Sequence, residues 1–167
     1  MKTNVLFDWT TEKAQLCICY PSQFILQHQQ ELLPEWQTPI AGVVLLLQKS
    51  RVSFQEFDRN IVREKDRLRA NFLRWGTNLI FALQDLGYSS DLFDPRTGYP
   101  LLGQQGKLSF DDNAVVRALL DYPVTSYKHC SLIEHPVWGD RVYPSTIVTT
   151  APRDIIEPLC QKAIGRL

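Results

Sequence analysis

Residues 40–48 read IAGVVLLLQ. A nearly unbroken run of valine, isoleucine and leucine predicts a strand buried on both faces, central in its sheet. The run is far short of the about 20 residues that a bilayer requires, so no membrane span is expected. Immediately upstream, AQLCICY (14–20) reads as a short neighbouring strand. Alternation puts Cys17 and Cys19 on one face, where two small apolar fillers are expected. Pro21 then opens a helix whose apolar stripe is Phe24, Ile25, His28 and Leu32. Downstream, Val52–Val62 reads as a further strand reached through the QKSR turn.

The clearest helix spans 64–86, with Leu68, Phe72, Trp75, Leu79, Leu83 and Leu86 on one stripe and the charges of REKDRLR largely off it. Gly87 closes it as a C′ glycine. GYSSDLFDPRTGYPLLG (87–103) reads as strand, turn and strand, with Asp94-Pro95 starting the turn and Gly98 allowing positive φ. GQQGK (103–107) lacks the glycine spacing and following Ser/Thr of a phosphate loop. Ser109 and Asp112 have capping-box spacing before a helix that runs to about 121. Val124–Glu134 and Val142–Thr149 read as two strands. A final helix is expected near 153–165, its regular part beginning at Pro158. Strands in adjacent pairs between helices predict an α+β domain, residues 1–167, with a mainly antiparallel sheet flanked by helices.

Lys+Arg and Asp+Glu are 18 each, so no global charge favours nucleic acid or an anionic membrane. The first residues, MKTNVLFDWTTEK, carry no export or organelle signal, which predicts a cytoplasmic setting with the four cysteines reduced.

Chemistry concentrates in YKHCSLIEHPVWG (127–139), where His129, Cys130, His135 and Trp138 lie close together. On a regular strand His129 and Cys130 point to opposite faces, and His129 and His135 stand about 20 Å apart. That spacing disfavours a zinc site and a Cys–His dyad. An ordinary strand with incidental His and Cys comes first, a site that presents one donor atom second, and metal or nucleophile chemistry last. A single imidazole or thiolate suits a macrocyclic metal complex, which brings its own equatorial ligands and takes one axial atom from the protein.

Two segments resemble the cobalamin-trafficking family CblD (methylmalonic aciduria and homocystinuria type D protein). One is GYSSDLFDPRTGYPLLG, through Gly87, Tyr88, Asp91, Asp94, Pro95 and Gly98. The other is CSLIEHPVWGDRVYPSTIVTTAPRD, with Cys130, Ile133, His135, Trp138 and Gly139. The resemblance implies a nitroreductase-like fold with no flavin and an adaptor rather than an enzyme. It implies cobalamin as transient cargo, with a CblC-like processing protein as partner and methionine synthase or methylmalonyl-CoA mutase as recipients; a homodimer is compatible with it. A family cysteine can bond the cobalt. The family pattern has two consecutive cysteines here, and the position of the ligating first one is His129. Either His129 supplies an imidazole nitrogen, or Cys130 takes over, or the ligand is lost. Parity favours His129, whose protonation near ~6.5 would remove the lone pair. His135 and Trp138 either support the segment or touch the partner or the corrinoid. The alternative function is a small nitroreductase-like or thiol-dependent reductase.

Overall fold

The computed structural model describes residues 4–55, 58–128 and 130–167. Its centre is the predicted strand, β3 (Gly42–Lys49), buried along all but its last residue. Alternate side chains enter two different cores. Val43, Leu45 and Leu47 face one, and Val44 and Leu46 face the other. β2 (Ala14–Cys19) follows the same rule, with Cys17 and Cys19 on the first face as expected, and Leu16 and Ile18 on the second. Two-sided burial requires a covering layer on each face. The first face is covered by α1 (Gln23–Gln27), α2 (Gln29–Leu32) and α4 (Asp112–Leu120). The second is covered by α3 (Arg59–Asp85) and α5 (Arg153–Ile164).

The main sheet has the order β1-β2-β3-β7-β4, with β1 (Val5–Thr10), β4 (Ser90–Phe93) and β7 (Val142–Thr149). Every pairing is antiparallel. A separate antiparallel hairpin joins β5 (Val124–Tyr127) to β6 (Cys130–Ile133). The architecture is therefore α+β and mainly antiparallel, as the sequence predicts.

Several elements differ from expectation. Of the strand predicted at 52–62, residues 52–55 form no strand and α3 begins at Arg59. The carboxylate of Asp58 caps that helix by accepting the N–H groups of Asn60 and Ile61, a contribution of about 1 kcal/mol. Leu86 lies off the buried stripe and is exposed. β1 is a strand that the periodicity did not reveal. The helix predicted from Pro21 is two short helices, the first capped by Ser22. α4 is capped by Asp111, which accepts from Ala114, and not by Ser109. α5 begins at Arg153 and runs through Pro158. Its buried Ile156 and Cys160 hold it on the sheet while the Pro158 ring faces outward. Among the described residues no helix is long and apolar enough to cross a membrane.

The segment 87–103 is a structural device. Gly87 takes φ +91 at the end of α3. Gly98 takes φ +75, and a Cβ there would lie 2.5 Å from the Phe110 carbonyl oxygen. The Asp94 carboxylate forms a two-point pair with Arg69 of α3, which holds its carboxyl below the ordinary carboxylate range. Asp91 is buried and accepts the N–H groups of Leu92, Leu101, Leu102 and Gly103, the last at 2.7 Å. Burial outweighs these donors and raises its carboxyl above the ordinary value. In place of the expected second strand there is one bridge, Phe93 to Pro100, and a loop that Asp91 gathers.

Candidate functional site

The segment 124–134, predicted as one strand, is folded back on itself. Val124 pairs with Ile133, Thr125 with Leu132, Ser126 with Ser131, and Tyr127 with Cys130. Lys128 takes φ +54, a conformation that L residues other than Asn and Asp seldom adopt. His129 lies outside the described residues. The turn removes the premise of the parity argument, since 127–134 is not a continuous strand. Neither His129 nor Cys130 is favoured by alternation.

The base of the hairpin is anchored on both faces. Ile133 and Val124 pack into the core under α4 with Val116 and Leu119. Leu132 packs with Phe54, Ile61, Leu68 and Tyr143. The Asn113 amide, at the start of α4, donates to the Ser131 carbonyl at 2.9 Å. The free end is different: Ser126, Tyr127, Lys128, Cys130 and Ser131 are all exposed. By register Cys130 and Tyr127 share a face, and the Lys128 ammonium lies 5.6 Å from the Tyr127 ring centre. Cys130 is the one exposed thiol of four. Cys17, Cys19 and Cys160 are buried, and burial pushes the Cys19 and Cys160 thiols up to about 12 and Cys17 still higher.

His135 is placed quite differently. It is 5% exposed, and both ring nitrogens are engaged. Nδ1 accepts the N–H groups of Val137 (3.1 Å) and Trp138 (3.2 Å). Nε2 must then carry the proton, and it donates to Gln15 Oε1 at 2.9 Å. Burial lowers the imidazole pKa, so the ring is held neutral. Trp138 stacks on it at 4.0 Å and Tyr122 meets it edge-on at 5.3 Å. His135 and Gly139 exchange backbone hydrogen bonds, and Gly139 takes φ +60. The pair His135–Trp138 closes the corner between β6 and β7 and leaves no lone pair for a ligand. The sequence could not supply its partner, Gln15, which lies on β2 and in turn donates to Asp8 and Tyr122.

Among the described residues no group of three or more His, Cys, Asp or Glu side chains is arranged to hold a metal ion. The hairpin end can offer one donor atom to a metal that brings the rest of its own coordination sphere.

Comparison with known sequences agrees with the two motifs. The family model described as methylmalonic aciduria and homocystinuria type D protein matches residues 2–159. The chain is 23% identical over 136 residues to a cobalamin trafficking protein CblD of Gallus gallus. That alignment covers 81% of this chain and 45% of the relative, so the chain spans about half the relative's length.

Proposed function

Because this chain belongs to the methylmalonic aciduria and homocystinuria type D protein family, we propose that it acts in cobalamin trafficking as a non-enzymatic adaptor. The observation that carries the reading is Cys130: a free, exposed thiol at the end of a hairpin whose base is locked into the core. Cobalamin is then cargo, held through one axial bond to cobalt, with His129 imidazole or Cys130 thiolate as donor. The exposed strand ends leave room for a flat macrocycle to approach, whereas the three buried thiols offer none. His135 and Trp138 serve by fixing the corner that fixes the hairpin. The partner is a CblC-like processing protein, the recipients are methionine synthase or methylmalonyl-CoA mutase, and the setting is the cytoplasm.

The test is a visible spectrum of the chain mixed with reduced cobalamin and a CblC-like protein, for wild type, His129→Ala and Cys130→Ala. A ligand-field change in wild type that one substitution abolishes identifies the donor. A ternary complex without any spectral change reduces the reading to an interaction module that has lost its ligand. No change and no complex removes it.

A further inference from the structure

The antiparallel register brings three strand termini to one end of the sheet. β2 starts there, β3 ends there, and β7 starts there. Each terminus carries a cation. The Lys49 N–H donates to the Lys13 carbonyl at 2.8 Å, and the Ser50 N–H donates to the Arg141 carbonyl at 3.0 Å. Lys13, Lys49, Arg51 and Arg141 are thus gathered at one edge, all exposed. Like charges held together cost stability, and nothing in the packing of the core asks for them.

They line one wall of a groove of about 1370 Å³ that continues between α3 and the end of α5, where Arg74 and Lys162 extend the positive surface. Eight Lys and Arg side chains line the groove against one acid, Glu12. Among the described residues only Arg67 of these eight has an ion-pair partner, Glu64. The chain as a whole has no net charge, so the imbalance is local.

The chemistry selects the ligand class. Cations near the end of α5 complement its dipole, which accounts for Lys162 and Arg166 but not for the sheet-end cluster. Nucleic acid asks for an open stacking platform and a basic domain. Of the two tryptophans in the groove, Trp75 is buried and donates its indole N–H to the Ala163 carbonyl, which leaves the half-buried Trp9 as a single ring, and the chain's pI is about 6.8. The groove exceeds the roughly 300–1,000 Å³ of small-molecule sites. Dispersed, largely exposed cations in a long groove match carboxylates spaced along a chain. We propose that this groove docks an acidic peptide segment of a partner protein, at a surface separate from the hairpin end and independent of the corrinoid reading.

Fluorescence anisotropy of a labelled oligoglutamate peptide with the full chain tests it, beside an oligoglutamine of equal length and an oligothymidylate. The oligoglutamate is expected to bind, and its affinity to fall as salt rises from ~50 to ~200 mM. Reversal of Lys49, Arg51 and Arg141 to Glu is expected to weaken it by about tenfold or more, with an unchanged circular dichroism spectrum. The pair Arg74→Glu and Lys162→Glu, on the helical wall, weakens it independently. Lys107→Glu, away from the groove, does not. No binding, equal binding of oligoglutamine, tighter binding of the oligothymidylate, or loss no greater than that of Lys107→Glu overturns the proposal.

Discussion

At the His135–Gly139 corner both imidazole nitrogens are bonded, the ring is stacked, and the backbone closes on itself. A few residues upstream, Tyr127, Lys128 and Cys130 are exposed at the end of a short hairpin. Both regions fall within one sequence motif. The corner spends its chemistry inside the protein, and the hairpin end leaves its thiol accessible to a partner. A histidine and a cysteine in one motif therefore need not share one site, and their different degrees of internal engagement separate a scaffold residue from one left open to solvent.

The largest effect is expected where the scaffold is most committed. Asp91→Ala would leave the N–H groups of Leu92, Leu102 and Gly103 without their acceptor, while Leu101 keeps the Leu92 carbonyl. A loss of about 3–5 kcal/mol is expected, read from the urea midpoint. Asp91→Asn keeps one acceptor oxygen and should recover part of it. Next comes His135→Ala, which leaves the Val137 and Trp138 N–H groups without their acceptor, takes the imidazole donor from Gln15 Oε1 and removes the Trp138 stack. About 2–4 kcal/mol is expected. Below its own melting range this variant should keep the cobalamin signal of the wild type. A lost signal in a folded His135→Ala protein would erase the distinction between corner and hairpin end.

The parts of this fold that were legible in the sequence are those where one element owns its pattern. β3 is apolar throughout because it is covered on both faces, and α3 shows an apolar stripe because it is covered on one. The misses have physical causes. β1 is an edge strand with Asp8 and Thr10 exposed, so its alternation is diluted. Val52 and Phe54 sit in a loop and Ile61 on a helix, yet all join one small cluster, and a linear reading merged them into a strand. The hairpin was hidden because its turn has Lys128 at positive φ where Gly or Asn would announce it. The candidate site was legible as a set of residue types and not as an arrangement. Gln15, which satisfies His135, is distant in sequence, and the break at 128 ended the alternation that assigned faces to His129 and Cys130.

Asp112 stands at the start of α4, beside the Asn113 that holds Ser131 of the hairpin. Thr146 of β7 donates to its Oδ1 at 2.7 Å. Burial pushes its carboxyl up to about 7 from an ordinary 3.8. The folded state thus binds this proton more tightly than the unfolded chain does. The contribution to stability is fully present below the unfolded value and is lost as pH rises toward and through about 7. The slope from one such group is at most about 1.4 kcal/mol per pH unit. Denaturation midpoints of wild type against Asp112→Asn, taken from acid to neutral pH, check it. The wild type should lose stability across that window relative to the variant. Parallel curves would mean that the carboxyl is not held neutral, and that the anchor of the hairpin does not respond to pH.

The smallest stability effect belongs to Cys130 itself. Its side chain is exposed, so Cys130→Ala should change the unfolding free energy by no more than about 0.5 kcal/mol. The contrast with the scaffold then appears in reactivity. Cys17, Cys19 and Cys160 are buried with raised thiol pKa values, so neither access nor thiolate population favours attack. Brief alkylation of the native protein followed by mass spectrometry should label Cys130 alone, and denaturant should be needed for the other three. Addition of cobalamin with its processing partner should then protect Cys130 if the thiol is the axial donor. It should leave labelling unchanged if the imidazole of His129 is the donor and the macrocycle does not cover the sulfur. Native labelling of Cys17 or Cys19 would mean that β2 opens to solvent, and the two-sided core of the sheet would have to be reconsidered before any role is given to the hairpin.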